Sequence, residues 1–197
     1  MWNESAADGG IGLWASGGGA STVYAQPAWQ AEVSGAGAAN GMRAVPDVAL
    51  AAANHDGAIA IINGAHYIVS GTSVAAPEFA GMIALVIEKQ HGAAQGNANS
   101  RLYSLGNEDP SPFHATPSGS NSVPGVNGFE ASGATYNLAT GLGSADGALL
   151  VTGWEADSKA LPIPDRPIRC SRFGLSPGGC KPTPRVPAMP RAIGPDR

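Results

Sequence analysis

HYIVSGTSVAAPEFAGMIALV, residues 66–86, joins two kinds of local order. The apolar run Tyr67-Ile68-Val69 stops at Ser70-Gly71-Thr72-Ser73. Beyond it, apolar residues recur at Ala76, Phe79, Ala80, Ile83, Ala84 and Ile87, at helical spacings of three and four. A helix is therefore predicted from Ser73 to Gln90, with Pro77 tolerated near its first turn and Gly92 as its stop signal. Leu85 and Val86 widen the stripe, so the helix is expected to be buried on most sides. Upstream, 57–62 and 66–69 flank Asn63-Gly64, which predicts a β-hairpin. A strand that breaks through Gly71 into a helix leaves Ser73 beside unpaired backbone N–H groups. That geometry suits a nucleophile whose oxyanion product needs donors. Taken alone, Ser70-Gly71-Thr72-Ser73 reads more simply, with Thr72 or Ser73 as a helix cap.

Working outward, Val45 to Leu50 reads as a buried strand with Pro46 near its start. Residues 11–25 read as an extended segment broken by Gly17-Gly18-Gly19. That triplet is no phosphate loop, because no Gly-Lys-Ser/Thr follows it. Short helices are predicted over 27–34, 99–105 and 145–151, with Gly/Ala/Asn-rich 35–42 and Pro-rich 106–134 as loops. After Trp154 the chain turns to prolines and arginines without an apolar period. A boundary is placed there, leaving a globular body over 1–154 and a tail over 155–197 expected to be disordered.

The 197 residues include 28 glycines and 16 prolines, and only 13% are charged, which suits a loop-rich exported protein. Residues 1–154 carry three basic and eleven acidic side chains, a balance of −8, whereas 155–197 carry eight and four, a balance of +4. An acidic body argues against nucleic acid as a partner. No apolar run is long enough to span a membrane, and the first ten residues show neither the basic nor the apolar region of a signal peptide. Cys170 and Cys180 both lie in the tail, and their redox state stays open.

The wider context sharpens the reading of Ser73. Ser70 to Gly81, SGTSVAAPEFAG, resembles the serine motif of subtilisin-like and sedolisin-like peptidases. The remaining motifs resemble the sedolisins, the serine-carboxyl peptidases. They are Trp2-Asn3-Glu4, Gly17 to Ser21, Pro27 to Gln30, Arg43 to Val48, Phe113-His114 and Thr140 to Ser144, in family order. The resemblance implies a subtilisin-like three-layer α/β/α fold with a largely parallel sheet, of which this chain holds the C-terminal portion. It implies an acid-acting endopeptidase that cleaves peptide or protein substrates through an acyl-enzyme. Ser73 matches the nucleophile, held in the turn Gly71-Thr72-Ser73, and Gly17, Gly18 and Gly19 match a segment along the substrate cleft. A glutamate would serve as base, one aspartate would orient it, and a second, protonated, would join the Ser73 N–H at the oxyanion.

In the family those three acids precede the strand matched by Trp2-Asn3-Glu4. The chain alone is therefore expected to be inactive, its missing partner being the N-terminal half of the peptidase domain. Local substitutes are poor. Glu78 lies five residues beyond Ser73, about 500° around the helix and off its face. Asp47 matches a structural motif, and the family has no catalytic histidine at the position of His66. The family also binds calcium through two aspartates and backbone carbonyls. Here those acids are replaced by Ala115 and Asn137, leaving carbonyls near Thr116 and Gly133, so no metal is expected. A subtilisin-type enzyme would need an upstream histidine motif that His55, His66, His91 and His114 do not supply. The alternative is a non-catalytic exported domain that binds peptide or serves a structural role on the same scaffold. For the full-length protein the resemblance implies an extracellular or periplasmic address.

Overall fold

A computed structural model describes residues 1–5, 10, 12–131, 133 and 136–154. These fall in one compact unit, Met1–Ala160. The expected boundary after Trp154, the 155–197 tail, Cys170 and Cys180 lie outside the described residues.

The chain begins with isolated bridges, Asn3 to Ala15 and Ser5 to Gly12. Strand β1 (Gly19–Ala25) leads to a one-turn helix α1 (Ala28–Ala31) and a 3₁₀ turn at Ala36–Ala39. Strand β2 (Met42–Val45) pairs antiparallel with β1, with an irregularity in register between Ala20 and Ala25. The hairpin β3 (Ala58–Ile62) and β4 (Ala65–Val69) follows, then helix α2 (Thr72–Lys89), helix α3 (Asn99–Gly106), strands β5 (Phe113–His114) and β6 (Ser144–Ala145), and helix α4 (Gly147–Gly153).

The hairpin forms where the sequence places it. Asn63 and Gly64 both take positive φ, 52° and 80°, the backbone that a tight two-residue turn requires. Helix α2 also agrees with its periodicity, but Pro77 falls at its sixth residue, inside the helix and past the first turn, where it has no N–H to donate to the Ser73 carbonyl. The expected strand over 45–50 does not form. Pairing stops at Val45, because Pro46 has no N–H to donate and Asp47 turns inward to a salt bridge. Only Ala49 rejoins a sheet, through a parallel bridge to Ser144. Among the described residues the named strands make three two-stranded antiparallel pairs.

The core gathers Val86 from α2, Leu102, Tyr103 and Leu105 from α3, Leu150 from α4, and Phe113, Tyr136, Leu142 and Trp154. Asp146 caps α4 by accepting from the Leu149 N–H at 2.9 Å. Lys89 donates to the Val151 and Thr152 carbonyls at the far end of α4, at 2.9 and 2.5 Å, where the helix dipole favours a cation. Trp154 is clamped by Gln95 Oε1, which accepts its indole N–H at 2.8 Å, and by Gln90, which donates to its carbonyl at 2.8 Å.

A second, polar cluster ties α1, β2 and α3 together. Gln30 is fully buried, accepts the Ala44 N–H at 2.8 Å, and donates to the Ala44 carbonyl at 2.9 Å and the Tyr103 hydroxyl at 2.6 Å. Tyr103 donates in turn to Asp47 Oδ1 at 2.8 Å, and Arg43 grips both Asp47 oxygens at 2.5 and 2.6 Å. The Arg43 guanidinium lies 5.1 Å over the Trp29 ring, a cation–π contact. Burial, then the Asp47 charge, raises the Tyr103 hydroxyl well above its ordinary pKa. Burial pushes Tyr136, whose hydroxyl donates to the Pro46 carbonyl at 2.8 Å, up to about 12. Both phenols therefore stay protonated donors at any physiological pH.

The expected burial of α2 on most sides is not seen. Of its residues only Val86 is buried, and Ala76, Pro77, Ala80, Ala84 and Leu85 are exposed. The hairpin is bare too, with Ile59 and Ile68 paired across the strands at 72% and 73% exposure. Periodicity marked these faces as apolar, but no described residue covers them.

Candidate active site

Helix α2 starts at a glycine that no other residue replaces easily. Gly71 takes φ 104°, ψ 157°, outside the range of L side chains, and its N–H donates to the Ala52 carbonyl at 2.7 Å. Its carbonyl accepts from Val74 at 2.9 Å and Ala75 at 3.4 Å, opening the helix. Thr72 and Ser73 occupy the first two helical positions, and neither side chain caps the helix. The cap reading of these two residues is thus replaced by a glycine cap. Ser73 is exposed, and among the described residues nothing hydrogen-bonds its hydroxyl. Its Oγ lies 3.3 Å from where a Cβ on Gly71 would sit, so the glycine keeps the approach to the serine open.

Two clefts flank this turn. One, of about 690 Å³, brings Gly17 together with Thr72, Ala76 and Phe79. The other, of about 760 Å³, is lined by Ser70, Gly71, Trp2, Glu4, Trp14 and His55. Glu4 went unmarked as a site residue in the sequence. Its carboxylate accepts the Trp2 indole N–H at 2.9 Å and the Asn54 N–H at 2.8 Å, and it lies 3.3 Å from His55 Nδ1. The Trp2 hydrogen bond above all holds the Glu4 carboxyl below its usual range, against an opposing effect of burial. Two signals were available: Glu4 closes the family-like motif Trp2-Asn3-Glu4, and the i, i+2 spacing of Trp2 and Glu4 puts both on one face of an extended chain.

The three glycines of the 17–19 segment differ in kind. Gly17 has nothing within 4 Å of a Cβ position and faces the cleft shared with Thr72. A Cβ on Gly18 would sit 1.8 Å from the Leu138 carbonyl oxygen, and Gly19 has φ 133° beside the Phe129 ring. Gly18 is therefore a packing glycine. Gly18→Ala should destabilise the full chain by about 1–3 kcal/mol through overpacking, and Gly17→Ala should stay within about 0.5 kcal/mol, both read by urea unfolding.

None of the local acids or imidazoles considered as bases hydrogen-bonds to Ser73. Asp47 is committed to Arg43 and Tyr103, and His66 sits opposite Ile61 on the exposed hairpin. Glu78 is half-buried on α2.

The segments matched to a calcium loop do come together. The Gly133 N–H donates to the Thr116 carbonyl at 3.2 Å, and Gly143 packs against His114 and Ala115. The residues present do not fit a cation. Ala115 offers no oxygen from its side chain, and Asn137 spends its own: Oδ1 accepts from the N–H groups of Ala139 and Thr140 and from the Thr140 hydroxyl, at 3.0, 2.9 and 3.1 Å. Among the described residues no group of three or more His, Cys, Asp or Glu could hold a metal ion.

The architecture is that of a subtilisin-like α/β protein, with a serine at the head of a long helix behind a left-handed glycine. It matches Pseudomonas sedolisin, a serine-carboxyl proteinase solved with two molecules of pseudo-iodotyrostatin, at TM-score 0.64 and 34% identity over 78% of this chain and 40% of that one. Curated relatives are xanthomonalisin of Xanthomonas sp. (strain T-22), 36% identical over 74% of this chain and 18% of the relative, and sedolisin of Pseudomonas sp. (strain 101), 36% over 76% and 24%. Kumamolisin of Bacillus sp. (strain MN-32) is 34% identical over 77% and 26%. Over the matched region the chain is a homologue of the sedolisin family, the serine-carboxyl peptidases. It spans about a quarter or less of the length of these curated relatives. No protein-family model matches it.

Proposed function

We propose that this chain supplies the nucleophile of a sedolisin-type, acid-acting endopeptidase, with Ser73 forming the acyl-enzyme, and that it is inactive alone. The observation that carries the reading is the state of Ser73. It stands exposed behind Gly71 in the first turn of α2, its hydroxyl unbonded among the described residues, in a turn whose Gly71 and Thr72 line two clefts.

In this mechanism Ser73 Oγ attacks the substrate carbonyl carbon while a glutamate carboxylate takes its proton. The oxyanion is held by the Ser73 backbone N–H and by a protonated aspartic acid. Collapse expels the amine, which receives the proton from the glutamic acid. Water, activated by the same glutamate, then releases the acyl group. The glutamate and both aspartates belong to a part of the family domain that this chain does not contain. Substrate peptide runs past Gly17, whose open Cβ position admits another backbone.

The same reading gives the exposed faces of the molecule an occupant, the acid-bearing part of the domain. It would cover α2 along Ala76, Ala80 and Ala84, and the hairpin along Ile59 and Ile68. Replacing Ile59 and Ile68 by Asp should leave the unfolding midpoint of this chain nearly unchanged, because both are exposed. It should weaken association with a family N-terminal fragment by about 100-fold or more, as buried unpaired charge opposes docking. Titration calorimetry measures both variants. Equal affinity of the charged variant and the wild type would remove the hairpin from the interface.

A non-catalytic reading has one observation in its favour, the lack of any described acid or imidazole bonded to Ser73. Assembly with the acid-bearing fragment and assay of peptide hydrolysis at acid pH separates the two. Cleavage supports the enzyme, and peptide binding without cleavage by the assembled domain supports the scaffold. The exported setting follows from the family resemblance and from composition, and no described helix is long and apolar enough to cross a membrane.

A further inference from the structure

We propose that Asn137 takes the place of a divalent cation, its amide oxygen organising the 137–143 turn, and that this turn neither needs nor holds calcium. Asn137 is 6% exposed, and its Oδ1 accepts three donors, which saturates a carbonyl-type oxygen. Two of those donors are backbone N–H groups, so the assignment of oxygen and nitrogen within the amide is fixed by the network. The other end of the amide, Nδ2, is buried without a partner among the described residues. An orphan N–H donor calls for an acceptor such as water and repels a cation. The backbone completes the turn without help: Asn137 and Gly141 exchange both their N–H···O bonds, at 3.1 and 2.9 Å.

The turn reaches the nucleophile through backbone hydrogen bonds. The Leu142 N–H donates to the Asp47 carbonyl at 2.9 Å, and the Ala49 N–H donates to the Gly143 carbonyl at 2.9 Å. Three residues on, the Ala52 carbonyl holds the Gly71 N–H at 2.7 Å. Asn137 thus braces a turn that is bonded to the 47–49 segment leading to the Gly71-Thr72-Ser73 turn, at a position the family resemblance gives to a metal ligand. The proposal does not depend on Ser73 chemistry, and its test needs no activity.

The full chain is melted with calcium chloride, with chelator and with neither, and titrated with terbium, whose luminescence Tyr136 would sensitise. The expected result is one melting temperature in all three conditions and no terbium signal. Asn137→Ala should lower melting by about 5–10 °C, since three hydrogen bonds are lost at once. Asn137→Asp keeps the acceptor and guards against an Ala variant that fails to fold. It should melt near the wild type and stay indifferent to chelator, because position 115 still lacks a carboxylate. A melting temperature that falls with chelator, a saturating terbium signal in the wild type, or an Asn137→Ala variant as stable as the wild type would each overturn the proposal.

Discussion

Ser73→Ala should lower kcat of the assembled peptidase domain by about four to six orders of magnitude, the loss seen when a member of a serine triad is removed. The size of the effect follows from what Ser73 does. In the proposed mechanism it alone provides the atom that bonds to the substrate carbon, and no neighbouring hydroxyl would inherit the task. Thr72 is its neighbour at the helix start, but about 100° around the axis its side chain points elsewhere. Thr72→Ala should therefore cost far less than Ser73→Ala, and the contrast separates a nucleophile from a helix-start residue. The measurement is single-turnover hydrolysis of a peptide at acid pH by the chain joined to its acid-bearing fragment, with mass spectrometry of the acylated serine. The isolated chain should show no Ser73-dependent hydrolysis under the same conditions. Hydrolysis by the isolated chain that vanishes in Ser73→Ala would mean that a local base exists and that the division of labour proposed here is wrong.

Asp47→Ala should destabilise the chain by about 2–4 kcal/mol, somewhat below the cost of breaking a fully buried ion pair, because this pair is partly buried. Asp47 joins three elements. It pairs with Arg43 from β2, accepts from Tyr103 of α3, and through Tyr103 reaches Gln30 of α1. The side chains of Arg43 and Asp47 are 15% and 23% exposed, so solvent screens the pair only in part. Removing the carboxylate leaves a guanidinium over Trp29 without its anion and a buried phenol without its acceptor. Asp47→Asn keeps one acceptor for Tyr103 and should cost roughly half as much. Urea unfolding followed by tryptophan fluorescence reads both variants. A loss below about 1 kcal/mol for Asp47→Ala would show that the network tolerates its own removal.

The parts of this structure legible in the sequence are those fixed by near neighbours. Asn63-Gly64 announces its turn because both residues accept positive φ, and α2 announces itself through spacing. The border at Gly71 was legible because a glycine between a β run and a helical run has few other uses. The strand misplaced at 45–50 shows the limit: a short apolar run does not say whether its backbone is paired, and Pro46 decided otherwise. The polar cluster was invisible for another reason. Gln30 and Tyr103 meet across 73 residues, and nothing local to either names the other. At the site, the family motifs pointed to Ser73, Ala115 and Asn137. They did not show that Gly18 is held by Leu138 while Gly17 is open, nor that Glu4 gathers Trp2, Asn54 and His55 around its carboxylate.

The β3–β4 hairpin bears on the order of events in time. Its two strands are joined by a two-residue turn, so its contacts are local and it can close in about 1–10 μs. Apolar on both faces, it gains little from closing until something lies over it. It is thus a template that is early to form and late to be protected. During that interval it invites any exposed strand, a second copy of itself included. On the proposed reading, the part of the domain that covers Ile59 and Ile68 must arrive before such a copy does, so chain concentration and the timing of assembly would govern its fate as much as the stability of its core.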